Sequence, residues 1–462
     1  GAGGAGGAFP AAANPRGQQH PPAKEPMPGV RAAPPRAEPP KRAYWLQRTL
    51  REAIYGRVKY AVVLRRRAES AIPLSQAMSP DGGGGVPTAE WEVTDEKCAV
   101  KEMSWNHIRR ERSRLAEDPI KEVSAMQHLS RYHQRLRDEL RGGGGGAMGA
   151  AGNDDYGGNG SDAMMDTHIM MPLDLLSDDR FLYSVMPYCN GGELFDRLDE
   201  RQKFTEDESR YWMHQILSGV ENLQRAGVCH RDMSLENLLV HNERLCLIID
   251  MGMCLRIPYE TEEEPRDGIV AGGTSQEGNL DTAGMMNSFA EMSVERVIPS
   301  GAGYAGGAGY ITTTERLDHL DRRKNGVQRY LMRPQGTCGK WHYMSPEIAQ
   351  NKTPFDGHAV DMWATGVILF LMLTGFPPWE RPCKSDDRFK YMTAGYLVQM
   401  LTEWELGLSP DAMDLLQRML WIDPRDRLSL EQVRAHPWMV NGRMEMPAQS
   451  RAAAFVAGGI RG

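Results

Sequence analysis

Paired cysteines are missing from this sequence of 462 residues. Its 7 Cys are scattered and never spaced C-x-x-C, so neither a disulfide frame nor a zinc site can be read from them. They fit the reduced thiols of an intracellular protein, cytoplasmic or nuclear. A basic surplus is missing too. The 54 Lys and Arg face 61 Asp and Glu, for a net charge of −7, which argues against general nucleic-acid binding. No apolar run of membrane-spanning length stands out, so no membrane span is expected. From Gly1 to about Pro40 there is almost nothing apolar to bury and no Arg-flanked apolar core. That stretch reads as a disordered tail and not as a secretory signal.

Glycine (49) and proline (29) are abundant, and they are concentrated in segments. Residues 1–43 and 441–462 read as flexible tails, and stretches near 65–90, 142–166 and 258–333 as Gly-rich insertions. The ordered pieces change character along the chain. Tyr60–Leu64, Cys98–Lys101, Phe181–Pro187 and Leu245–Ile249 are short apolar runs that suit strands. Pro119–Leu129 carries Ile120, Val123 and Met126 at helical spacing. After Glu208, helices are expected over Tyr211–Arg225, Asp361–Thr374, Leu397–Thr402 and Asp411–Leu420. Strands first and helices second predict an α+β chain of two lobes.

The strongest chemical signal is His230-Arg231-Asp232-Met233-Ser234-Leu235-Glu236-Asn237, followed by Asp250-Met251-Gly252 at the end of an apolar run. An Asp that can accept a hydroxyl proton, with an Asn and a second Asp as oxygen ligands for Mg²⁺, is what phosphoryl transfer requires. Here the sequence resembles the protein kinase family over residues 44–440, apart from the insertions. Further motifs follow in the family's order. Cys98-Ala99-Val100-Lys101 is similar to the strand with the phosphate-binding Lys, and Glu122 to its ion-pair partner, although Glu102, Glu111 and Glu117 are nearby acids. Ser345-Pro346-Glu347 is similar to the motif that closes the activation segment, with Arg427 as the partner of Glu347, and Asp361-Met362-Trp363 to the buried helix of the larger lobe. Asn190-Gly191-Gly192-Glu193 and His436-Pro437-Trp438 resemble the calcium/calmodulin-dependent kinase group. No basic amphipathic helix follows, so calcium control is not expected.

The resemblance implies a small antiparallel β-sheet lobe with one key helix and a larger, mainly helical lobe. It implies ATP and Mg²⁺, with Asp232 as catalytic base, Asn237 and Asp250 on the metal, and Lys101, fixed by Glu122, on the phosphates. The adenine would lie between Val58, Ala99 and Leu239, beside Met186 and the hinge at Tyr188 and Cys189, under a loop ending in Gly56. His230 reads as a packed structural histidine, and Cys189 and Cys338 as small packing residues. Protein substrates are implied, with Glu193 and Glu236 suited to an Arg three residues before the phosphoacceptor. Arg231 implies an upstream activating kinase, with Thr337 as the nearest hydroxyl.

Four departures stand out. The glycine-rich loop is reduced to Arg51-Glu52-Ala53-Ile54-Tyr55-Gly56-Arg57-Val58, which predicts weaker phosphate cover or a charge contact from Arg51. Met251 replaces the family's Phe in a stack with Met126, Leu173 and His230, a softer filling. Ser234 stands where the family has Lys, and Lys340 where it has Thr. Those two positions face each other in the family, so the hydroxyl and the ammonium read as exchanged and not lost. The alternatives to an active serine/threonine kinase are a pseudokinase scaffold with little turnover and a polar scaffold with no nucleotide role.

Overall fold

The computed structural model describes residues 42–66, 91–112, 114–142, 167–257, 259–260, 312–316, 328–332 and 334–444. Most of the expected tails and insertions lie outside these residues. The third insertion needs correction. Tyr259–Glu260, Thr312–Arg316 and Gln328–Met332 form an antiparallel three-stranded sheet within it.

The first lobe is an antiparallel sheet in the order β1-β2-β3-β5-β4. Its strands are β1 (Arg42–Ala53), β2 (Gly56–Arg66), β3 (Trp91–Ser104), β4 (Asp174–Ser177) and β5 (Phe181–Pro187). Successive strand side chains point to opposite faces, and the apolar alternation decides which face is buried. Ala61, Val63, Cys98, Val100 and Val185 fill one face. The register then sets Val58 opposite Lys101 and Lys101 opposite Ser184, with Ala99 opposite Met186. Lys101 therefore shares the other face with the residues expected around the adenine. Gly56 is needed where β2 meets β3, because a Cβ there would run into the Glu102 carbonyl oxygen.

Helix α1 (Trp105–Glu111) follows β3, and helix α2 (Pro119–Gly142) packs against the sheet. Ile120 and Val123 of α2 pack beside Tyr55, Met103 and Leu182, while Ala125, Met126 and Leu129 join the core of the second lobe. The helix thus belongs to both lobes, and it runs about three and a half turns beyond the expected Pro119–Leu129.

The second lobe is mainly helical. Its helices include α3 (Leu194–Arg201), α4 (Glu206–Arg225) and, after a short helix at Pro346–Gln350, α5 (Gly357–Thr374). Every residue of α5 is buried. Its 18 residues are long and apolar enough to cross a membrane by composition alone, contrary to expectation from the sequence, yet they form the centre of this core. Asp356 caps its start by accepting from the His358 amide, and Gly375 ends it in a left-handed turn.

One buried ion pair ties the lobe together. Arg427 donates to Glu347 at 2.9 Å and to the Ala359 carbonyl at 2.7 Å, with its guanidinium over the Trp363 ring. Removing one partner of a buried pair leaves an uncompensated charge and costs about 3–5 kcal/mol. Arg427→Ala should lower the urea midpoint accordingly. A midpoint within experimental error of wild type would contradict this assignment.

Candidate active site

The two lobes bring the motif residues together around one cleft. Lys101 Nζ lies 2.6 Å from Glu122 Oε2, and both side chains are buried. Glu122 sits in the first turn of α2, whose opening amides at Ile120 and Lys121 are capped by Asp118. Glu117, the rival acid just before the helix, also approaches Lys101, at 3.7 Å. Carboxylate oxygens of Glu117, Glu122 and Asp250 all lie within 4.8 Å of one another.

These charges reshape one another. Burial alone would push Lys101 down, but Glu122, Asp250 and Glu117 outweigh it and keep the ammonium charged. Burial raises Glu122 to about 7, with Lys101 opposing and Asp250 and Glu117 adding to the rise. Asp250 is held below the usual range: burial works against it, and Lys101 and the Gly252 amide prevail.

Across the cleft, Asp361 at the buried end of α5 accepts from the backbone amides of His230 (2.7 Å) and Arg231 (2.8 Å). Arg231 and Asp250 both have φ of 66°, a left-handed conformation that costs energy outside glycine and needs such over-determination. His230 is fully buried and bonds the Ile249 carbonyl, in keeping with a structural role. Asn237 spends its amide nitrogen on Asp232, at 2.8 Å to the carbonyl and 3.0 Å to Oδ2.

Lys340 donates from Nζ to Ser234 Oγ at 2.7 Å and reaches Asp232 Oδ2 at 3.7 Å. Its backbone amide also donates to Asp232 Oδ1, at 3.3 Å. The hydroxyl and the ammonium therefore do face each other beside Asp232. Burial raises the Asp232 carboxyl, with Lys340 and His230 opposing the rise.

Val58, Ala99, Met186, Cys189 and Leu239 are all half-buried along the expected adenine wall. Met186, Cys189 and Leu239 pack against Met170, Leu245 and Leu247. Burial pushes the Cys189 thiol up to about 12, consistent with plain packing. Two expectations change. Arg51 pairs with Glu193 at 2.8 Å, a partner the sequence did not suggest. Met126 and Met251 share one buried core, whereas Leu173 packs against the sheet, so the expected stack is not one cluster. Thr337 is exposed, and the neighbouring Cys338 thiol takes the Arg231 guanidinium contact at 2.7 Å. Sequence reasoning missed Tyr55, which is buried and donates its hydroxyl to the Glu117 carbonyl at 2.8 Å. An aromatic next to Gly56 was its only signal.

The family profile described as Protein kinase domain matches residues 162–271 and 323–439. The chain belongs to the protein kinase family. The profile begins after β3 and α2, so the lysine and its partner rest on the geometry above. Among curated relatives, the maternal embryonic leucine zipper kinase of Xenopus tropicalis is 25% identical over 277 residues, which cover 60% of this chain and 30% of that protein. Serine/threonine-protein kinase CHK1 of Mycosarcoma maydis is 26% identical over 257 residues, covering 56% and 28%. Mitosis inducer protein kinase cdr2 of Schizosaccharomyces pombe is 26% identical over 272 residues, covering 59% and 25%. The aligned part spans about a third or less of these relatives' length. All three are kinases by name, and the second is named as serine/threonine-specific.

The raised Glu122 gives a pH test. The folded kinase holds this proton up to about 7, while an unfolded Glu releases it near 4.5. Between those values the folded state binds more protons, so this group makes stability fall as pH rises. Glu122→Gln should therefore melt at lower temperature than wild type, relative to its own pH 8 value, when both are compared at pH 5. A difference in melting temperature that is constant from pH 5 to 8 would contradict the raised value.

Proposed function

We propose that this protein is an active serine/threonine kinase that moves the γ-phosphate of ATP to a Ser or Thr hydroxyl of a protein substrate. The observation that carries this reading is the Lys340–Ser234 contact beside Asp232. An ammonium there restores the positive charge that the serine removes, so the charge count of a working site is kept.

Asp232 accepts the proton of the attacking hydroxyl, and its burial and raised carboxyl suit a base that must not be over-stabilised as an anion. Asn237 holds that carboxylate in place from one side and Lys340 from the other. Lys101, kept charged and fixed by Glu122, orients the phosphates. A divalent cation such as Mg²⁺, when bound, neutralises phosphate charge. Asp250 and the amide oxygen of Asn237 are a donor set that suits a hard cation, and the low carboxyl of Asp250 keeps it available as an anion.

Val58, Ala99, Leu239, Met186 and Cys189 offer an apolar slot for a base, and Glu193 serves the ribose or a substrate Arg. Glu193 and Glu236 support a preference for Arg three residues before the phosphoacceptor. Arg231 suits a phosphate supplied by an upstream kinase, and an intracellular location, cytoplasmic or nuclear, belongs to the same reading. The pseudokinase alternative draws on Arg51 and the reduced glycine loop, and it is an outcome of the following test.

The test is a double-mutant cycle of Ser234→Lys, Lys340→Thr and both together, read as kcat for phosphate transfer. Each single change should cost about tenfold or more, in line with loss of one charge stabiliser, and the double should recover much of it. Additive losses, or unchanged turnover in Lys340→Thr, would refute the exchange. No transfer in any form, with Mg-ATP still bound, would favour the scaffold.

A further inference from the structure

We propose that Glu117 is an internal competitor for the phosphate-binding ammonium of Lys101, so that its carboxylate weakens nucleotide binding whenever no divalent cation offsets it. The inference rests on the reading of the cleft as an ATP site. It starts from an imbalance of charge: one ammonium, Lys101, stands among the carboxylates of Glu122, Asp250 and Glu117. Glu122 positions the lysine and Asp250 belongs to the metal-binding pair. Glu117 has neither assignment, yet its Oε1 lies 3.7 Å from Lys101 Nζ and its side chain is nearly buried.

Glu117 is also held there. The Tyr55 hydroxyl donates to its carbonyl at 2.8 Å, and the amide of the next residue, Asp118, donates to the Gly252 carbonyl at 3.1 Å. Gly252 makes room for it, since a Cβ at that position would lie 2.5 Å from Glu117 Cγ. The backbone on both sides of the cleft floor thus fits this one side chain into the space beside the lysine. Asp118, its neighbour, is tied to Arg112 and to the start of α2, so the segment cannot swing out without loosening that helix.

A polyphosphate approaching Lys101 meets this third negative charge at short range, in a site where screening by water is weak. Added positive charge from a divalent cation removes the penalty. Neutralising Glu117 should remove it as well, even when no cation is present. Tyr55 is then a positioning residue for Glu117, and its effect should run in the same direction and be smaller.

The experiment measures the affinity of a fluorescent ADP for the full chain in Mg²⁺ and in EDTA, using wild type, Glu117→Gln, Glu117→Ala, Tyr55→Phe and the surface control Glu111→Gln. Wild type should bind at least about tenfold more weakly in EDTA. Both Glu117 variants should recover most of that loss in EDTA, Tyr55→Phe part of it, and Glu111→Gln none. Two Glu117 variants that fold, by circular dichroism, and bind in EDTA no better than wild type would overturn the inference while leaving the nucleotide reading intact. If one variant fails to fold, the other decides. A wild type that binds no nucleotide even in Mg²⁺ would instead overturn the nucleotide reading itself.

Discussion

The buried carboxylate of Asp361 is the constraint on which the Asp232 side of the cleft depends. Two backbone amides in succession, those of His230 and Arg231, converge on its oxygens. That arrangement holds Arg231 in a left-handed conformation the chain would otherwise avoid, and so fixes where Asp232 emerges. Asp361 can do this because it sits in the second turn of a helix that is buried along its whole length and anchored by the Arg427–Glu347 pair. Core packing is thereby converted into the position of one carboxylate in the cleft.

The other half of the cleft is organised by charge. Lys101 is brought to the cleft face by strand alternation and register, and it is kept cationic by a surplus of carboxylates. Such a surplus destabilises the folded chain near neutral pH, as the raised Glu122 records. A folded protein that tolerates this cost at a cleft commonly does so for binding or chemistry. On the opposite wall, a single ammonium from Lys340 serves Ser234 and Asp232 together. Both walls are consistent with a site that handles phosphate, and both differ in detail from the family's usual residues.

Much of this was legible in the sequence because it is local or strongly patterned. The apolar alternation around Cys98–Lys101 and Phe181–Pro187 gives β3 and β5, and the spacing of Ile120, Val123 and Met126 gives α2. The motif from His230 to Asn237, together with Asp250, names the centre of the cleft. Lys340 and Ser234 could be paired only through the family resemblance, since they lie 106 residues apart. What stayed hidden depends on the path of loops. Nothing in the string from Arg112 to Pro119 says that Glu117 turns toward Lys101, because that follows from hydrogen bonds to Tyr55 and Gly252. The reduced loop suggests either weaker phosphate cover or a charge contact from Arg51, and two hairpin register shifts between Leu46 and Arg51 precede its turn toward Glu193. The long buried helix is readable as helix, but apolar content alone does not separate a core helix from a membrane span.

The central claim is that the geometry around Asp232 performs phosphate transfer. The most direct measurement is incorporation of label from γ-³²P-ATP into a protein or peptide substrate by the wild-type chain, with Asp232→Asn as its partner under identical conditions. The account predicts transfer to Ser or Thr by the wild type and a loss of about a hundredfold or more in the variant, with Mg-ATP binding retained. Equal incorporation by the two proteins, or none by a wild type that binds Mg-ATP, would contradict it.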